Sequence, residues 1–222
     1  MTDSNLGVSS SVKAGTSEVA GHIARVAARL FATQGYDATP VRAIVEAAGV
    51  TKPTLYYHFG SKEGLAQALL TVPMSRFHEE LRRILDEAGD PVEMLVRTFE
   101  SHFAFCREDP DRSRFVFALF FGPLASGLAG EMERFKGGMG CLLDEVVRYA
   151  AGAGCVDPGR VESFATACRG LIVISILDFL YKGGELGPGL ADRLVGDLLR
   201  GFGMPGTGCP AEGQDHVGSS ST

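Results

Sequence analysis

The chain has 222 residues, 45% of them hydrophobic and 22% charged, and a formal net charge of −6. That suffices for one sizeable core or two small ones, and the acidic balance excludes a protein that coats nucleic acid through bulk positive charge. No run reaches the roughly 20 apolar residues that cross a bilayer and the polar N-terminus lacks a secretory apolar stretch, so a soluble cytoplasmic protein without membrane contact is expected.

Residues 1–17 and 203–222 are rich in Ser, Gly and Thr without periodicity, which predicts disordered tails at 1–17 and 204–222. Between them the signals are helical, and no alternating pattern predicts a strand. Val19, Ile23, Val26, Ala27, Leu30 and Phe31 form a stripe of helical period ended by Gly35. Val41, Ile44, Val45 and Ala48 repeat the pattern, with Thr39 as expected N-cap, Pro40 at the first helical position and Gly49 as the stop. Thr51 is placed to cap a short third helix over about 52–58, closed by Gly60, and Ser61 opens a fourth with apolar positions Leu65, Ala68, Leu69 and Val72. Turn signals at 88–91, 108–111, 122–127 and 157–159 then separate helices near 91–107, 111–121, 128–151, 159–182 and 189–202. The Gly-Gly-Met-Gly run at 137–140 predicts a weak point or a close backbone approach.

Charge is unevenly divided. Residues 1–66 carry a net +1 and the remainder −7, as expected if only the first part meets an anionic partner. Cys106, Cys141, Cys155, Cys168 and Cys209 are odd in number, widely spaced and form no C-x-x-C pair, so reduced thiols are expected, with neither a disulfide framework nor a zinc site.

The second and third helices, joined tightly through Gly49, have the form of a helix-turn-helix crossed by the first. Leu55 and Phe59 are expected to face the scaffold. Thr39, Arg42, Tyr56, His58 and Lys62 supply the hydroxyl, imidazole and cationic donors that suit phosphates, while Thr51, Lys52, Pro53 and Thr54 lie at the helix N-terminus that reads base edges. His58 has no acid or second ligand three or four residues away, so neither a catalytic nor a metal role is expected for it.

Phe31-Ala32-Thr33-Gln34-Gly35-Tyr36, Thr39, Ala47-Ala48-Gly49-Val50, Thr54-Leu55-Tyr56-Tyr57-His58-Phe59, Ser61-Lys62-Glu63 and Leu65 together resemble the N-terminal signature of TetR-type transcriptional regulators. The resemblance covers about residues 19–70. It implies an all-α homodimer with a three-helix DNA-binding domain at 18–66 and a helical effector-binding and dimerisation domain at 67–203. It also implies a pseudo-palindromic double-stranded operator and no enzymatic activity. Carried over position by position, Thr51, Lys52, Pro53, Thr54, Tyr56, Tyr57 and His58 resemble the recognition helix and Lys62 the phosphate clamp. Pro53 stands where a glycine is common.

In the second part, seven of the 14 phenylalanines fall within residues 99–121, which predicts an aromatic-lined cavity for a small apolar or aromatic effector. Its expected lining is Phe99, His102, Phe103, Cys106, Phe117, Phe120 and Phe121, with Asp178 and Arg97 as polar orienting groups in apolar surroundings. His102 and Cys106 alone make a poor metal site, and no cofactor is expected. The last two helices carry Phe164, Ala167, Cys168, Leu171, Ile172, Ile176 and Phe179, then Leu190, Leu194, Leu198 and Leu199. In the family resembled, the equivalent pairs from two subunits form a four-helix interface; a monomer burying the same stripe internally is the alternative.

Overall fold

The computed structural model describes residues 7–122 and 128–202, and the helical backbone alone for 7–17 and 129–140. Among the described residues the fold is all-α, with no strand. The helices are α1 (Gly7–Gln34), α2 (Val41–Ala48), α3 (Lys52–Phe59), α4 (Lys62–Glu87), α5 (Pro91–Glu108), α6 (Pro110–Phe121), α7 (Ala129–Gly152), α8 (Val161–Lys182) and α9 (Leu190–Phe202). A 3-10 turn at Pro158–Arg160 precedes α8. Asp90 and Asp109 cap α5 and α6 by accepting from Glu93 N at 2.8 Å and Arg112 N at 2.9 Å, which is why both turn signals restart a helix.

α1 starts inside the segment that composition assigns to a tail. A helix already packed through Ile23, Ala27 and Phe31 extends backwards cheaply, because propagation avoids the nucleation cost. The rest of that segment, residues 1–6, the 204–222 tail and residues 123–127 of the break after α6 lie outside the described residues. α7 is continuous across 137–140.

Two cores divide the chain. The first joins Ile23, Ala27 and Phe31 of α1 to Ile44 and Val45 of α2, Leu55 of α3 and Leu65, Ala66, Leu69 and Leu70 of α4. The second is built on Phe77, Leu81 and Ile84 of α4, Phe99 and Phe103 of α5, and apolar residues of α7, α8 and α9. The changeover along α4 falls between Leu70 and Phe77. Pro73 sits there and lacks the N–H that would bond the Leu69 carbonyl. α6 ties the two parts together, because its Phe115, Val116 and Leu119 belong to the first core while its neighbour Phe117 packs on the second.

Some expectations shift on α4. Its buried face is Leu65, Ala66, Leu69 and Leu70, whereas Ala68 and Val72 point to solvent. The stretch LAQALLTV is apolar on two adjacent sides, so period alone does not choose between them. The thiol expectation is also corrected in part. Cys106, Cys141 and Cys168 are free, but Cys155 is disulfide-bonded, and an odd, widely spaced set carries no signal of that bridge.

Arginines clamp the far end of the second part. Arg114 donates from Nε (3.0 Å) and Nη2 (2.9 Å) to the Leu180 carbonyl, and Arg107 from Nη1 to Leu186 O (2.6 Å). The last carbonyls of α8 have no intrahelical donors, and a cation there also complements the helix dipole. Arg97, singled out in the sequence as a polar orienting group, pairs instead with Glu87 across α4 and α5 at 2.6 Å.

Candidate nucleic-acid interface

The α2–α3 corner is set by two backbone requirements. Gly49 ends α2 in the left-handed region (φ 64°), with its N–H returned to the helix, and no side chain adopts that turn without strain. Val50 N then bonds Val45 O at 3.0 Å, and Thr51 caps α3 by accepting from Thr54 N at 3.3 Å. Leu55 is fully buried against α1 and α4, with Phe59 partly buried beside it, so α3 is anchored through one side. His22 of α1 adds a tie, its Nε2 lying 3.1 Å from the Ala48 carbonyl.

The opposite side of α3 is open. Thr51, Lys52 and Pro53 are exposed, Thr54 and His58 are half-buried, and Tyr56 and Tyr57 are 45% and 79% exposed. Tyr57 and His58 meet edge to face at 5.1 Å. An aromatic ring so far out of the core contributes little to packing and is presented for contact. Pro53 lies in the first turn of α3, where its missing N–H costs nothing. Thr51, Lys52, Pro53, Thr54, Tyr56, Tyr57 and His58 are therefore brought onto one element, as the sequence predicts.

Lys62, at the first position of α4, is only partly solvated. Its ammonium lies 4.3 Å from the centroid of the Tyr36 ring and 6.0 Å from that of Phe31, and burial lowers its pKa against an opposing pull from Asp37. Ser61 caps α4 through Gly64 N (2.9 Å). Gly64 is required at this corner because a Cβ would lie 2.1 Å from the Phe59 carbonyl oxygen.

Two expected donors stand differently. Arg42 on α2 is exposed but pairs with Glu46 at 2.6 Å, a solvated i,i+4 bridge that raises the arginine pKa through its hydrogen bond. Thr39 is a correction: it is fully buried, its hydroxyl donates to Gly35 O at 2.7 Å, and Pro40 rather than Thr39 occupies the N-cap of α2. The hydroxyl closes the α1–α2 loop, whose carbonyls would otherwise be orphaned, and it cannot reach a phosphate.

The eight residues expected around an effector fall into three places. Phe99, His102, Phe103 and Cys106 are buried in the second core, with Phe99 and Phe103 edge to face at 6.2 Å. Phe117, Phe120 and Phe121 cluster at the end of α6, where Phe121 is 62% exposed and meets Phe117 at 5.8 Å and Phe120 at 5.2 Å. Asp178 departs from the expected lining, since it is exposed at the C-terminal end of α8 and its carboxylate folds against Gly184. Residue type and spacing alone missed Arg112 and Ser113 on α6, which are both buried. A charged residue and a serine one helical turn ahead of the buried Phe115 and Val116 are the available signal for them.

Sequence and fold comparisons agree on this architecture. The profile of bacterial regulatory proteins of the tetR family matches residues 23–69, from α1 into α4. The HTH-type transcriptional repressor KstR2 of Mycobacterium tuberculosis is 36% identical over 83 residues, covering 37% of this chain and 42% of that protein. The HTH-type transcriptional activator FasR of Mycolicibacterium smegmatis is 32% identical over 97 residues, 44% of each chain. Both alignments thus span about two fifths of the relative's length. In three dimensions the structure of KstR2 superposes with a TM-score of 0.69 at 23% identity, over 83% of this chain and 95% of that one. AibR, solved with isovaleryl coenzyme A and operator DNA, gives 0.60 at 23% identity, over 83% and 97%. At these identities the superpositions establish the fold, and the sequence matches establish the head. Residues 23–69 are thus similar to the head of bacterial regulatory proteins of the tetR family, on a fold shared with solved regulators.

Proposed function

We propose that this chain is a ligand-responsive transcriptional repressor that binds a pseudo-palindromic operator as a homodimer and leaves it when a small apolar or aromatic effector occupies the helical body. The observation that carries the reading is the two-sidedness of α3. Leu55 is fully buried while Thr51, Lys52, Pro53, Tyr56 and Tyr57 stand in solvent on one short helix. Such a helix offers donors to phosphates and a narrow N-terminal tip to the major groove.

The dimer reading is supported by α8. Its inner face, Phe164, Cys168, Ile172, Ile176 and Leu180, is core, yet the opposite stripe through Ala167, Gly170, Leu171, Ile174 and Tyr181 is apolar or small as well. Ile174 and Tyr181 are 64% and 57% exposed. By length and composition alone the helical stretch Pro158–Lys182 is apolar enough to cross a membrane. Leaving for a bilayer would strip the second core of its inner face, whereas a second copy covers the outer stripe and keeps that core intact. Ala167 and Gly170 permit close helix approach.

Effector control is a population shift. A ligand that prefers a body conformation in which the two α3 helices are misaligned weakens DNA binding by the factor with which DNA weakens ligand binding. AibR, which shares the fold, was solved in complex with isovaleryl coenzyme A and operator DNA, so one protein of this fold holds a small molecule and DNA together. FasR is an activator with a similar head, so the sign of regulation is read from expression of the controlled gene.

Fluorescence anisotropy with labelled DNA from the region upstream of the gene tests the reading. Specific binding that weakens linearly in log–log with salt supports it, and affinity no higher than for unrelated DNA at every salt concentration overturns it.

A further inference from the structure

We infer that the buried polar cluster at the α5–α6 corner, His102 and Cys106 from α5 with Arg112 and Ser113 from α6, is the seat for the carboxylate of an apolar carboxylic acid. The inference rests on the body being the effector domain and names the chemical class of the effector.

The cluster is anomalous for a core. Arg112 is 7% exposed, yet its Nε finds no hydrogen-bond partner, and Ser113 is fully buried with its hydroxyl facing only the Cys106 thiol, a weak acceptor at too poor a geometry for a regular hydrogen bond. Arg112 spends only Nη2 on protein acceptors, at 3.1 Å to Phe105 O and 3.0 Å to Glu108, and that carboxylate is itself 67% exposed. Buried polar atoms are almost always paired, and an unpaired donor on a charged group costs more than the usual ~1–3 kcal/mol. An unpaired guanidinium N–H and a serine hydroxyl with only a thiol beside it, both buried at one corner, are left open to a better acceptor.

The surroundings say which kind. Arg112 and Ser113 both bear on the Cys106 thiol, whose pKa is pushed up to about 11 by burial against their opposing pull. The thiol therefore stays neutral and does not serve as the counter-ion. His102 is neutral too: its Nδ1 lies 2.7 Å from the Thr98 carbonyl, and burial lowers its pKa to about 4. The group thus offers a positive charge and a hydroxyl with one solvent-facing carboxylate to balance them, a setting that favours an anion with two acceptor oxygens over a neutral ligand.

The walls are aromatic. The Arg112 guanidinium lies 4.6 Å from the centroid of the Phe105 ring, Phe105 meets Phe77 at 5.1 Å, and Phe77 meets His102 edge to face at 4.8 Å. A carboxylate held by Nε–H and Oγ–H would place its apolar remainder among these rings. The site is also wired to the head. One turn beyond Arg112, Phe115 packs its ring 5.0 Å from Phe31 of α1, so a shift of α6 on binding reaches the helix that carries the helix-turn-helix.

The test is calorimetric titration of the full chain with octanoate, dodecanoate and hexadecanoate, each against its matching alcohol, followed by the anisotropy assay with the same compounds. At least one carboxylate should bind at least about tenfold tighter than its alcohol, the worth of one charge-assisted hydrogen bond. Arg112→Met should abolish that preference, bringing acid and alcohol to equal affinity. Ser113→Ala, which removes only a hydroxyl, should reduce it several-fold and keeps the test open if Arg112→Met does not fold. Equal affinity for acids and alcohols, no binding of any of them, or a preference that survives Ser113→Ala and Arg112→Met overturns the assignment. Carboxylate binding that never alters DNA affinity upholds the seat and refutes effector control; DNA binding with no carboxylate preference refutes the seat alone.

Discussion

The Lys62 ammonium lies 4.3 Å from the centroid of the Tyr36 ring, and that tyrosine stacks with Phe115 of α6 at 6.4 Å. The side chain proposed to hold a phosphate thus rests on an aromatic cluster that reaches α6. Lys62→Ala is expected to weaken binding to all DNA sequences alike and to lower the slope of log affinity on log salt by about 0.9, one phosphate contact. Tyr36→Leu should keep that slope but cost roughly 0.5–1 kcal/mol of stability through the lost cation–π contact. Anisotropy over a salt series and thermal denaturation read the two effects separately, and an unchanged slope in Lys62→Ala removes Lys62 from the phosphate set.

The α3–α4 corner admits no side chain at position 64. Gly64→Ala would bring a Cβ to 2.1 Å from the Phe59 carbonyl oxygen, a backbone atom that cannot swing away. The corner must open, at a cost in the range of core overpacking, about 1–3 kcal/mol, and α3 must turn with it. DNA affinity should therefore fall by more than the loss of stability explains, as measured by anisotropy at a temperature where circular dichroism shows the variant fully folded. A variant that keeps wild-type melting temperature and affinity contradicts this geometry.

His102 predicts an acid-side loss of stability. Its pKa falls from 6.5 to about 4 on folding because burial disfavours the imidazolium. Above pH 6.5 it is neutral in both states and contributes no slope. As pH falls from there toward about 4, the unfolded chain binds a proton that the folded chain does not, so stability declines by about 3 kcal/mol in total. Urea titrations across that window should show the decline in the wild type and a smaller one in His102→Asn, whose amide can still donate to the Thr98 carbonyl.

The outer stripe of α8 gives the oligomer prediction. Ile174→Glu places a charge where a second copy would bury it, at a position 64% exposed in the single chain. The folded monomer should be nearly indifferent, within about 0.5 kcal/mol, while association is lost. Light scattering coupled to size exclusion should read a dimer for the wild type and a monomer for the variant; a variant that stays dimeric moves the interface off this stripe.

The head was legible in the sequence because its signals are local: Gly49 must be left-handed, Thr51 and Ser61 cap α3 and α4, and Leu55 falls in helical phase with its neighbours. Thr39 misled because a threonine just before a proline looks like a cap, and only the folded loop shows its hydroxyl turned inward to Gly35. On α4 the stretch with two adjacent apolar sides left the inward side to be chosen by packing, which took Ala66 and Leu70 instead of Ala68 and Val72. The body was less legible for a physical reason. Phenylalanine at helical spacing reads the same whether it fills a core, as Phe99 and Phe103 do, or stands at a helix end, as Phe121 does. Arg112 and Ser113 look like ordinary surface residues until α5 closes over them.

The most direct test of α3 as a paired DNA-reading element is a hydroxyl-radical footprint of the purified chain on the DNA flanking its own gene. Two protected patches, about 34–36 Å or a multiple of that spacing apart and related by an inverted repeat, are the predicted result, with the preferred bases altered by Lys52→Ala. Absence of any protected patch, or a footprint whose sequence preference is untouched by changes at Lys52 and Thr54, would contradict it.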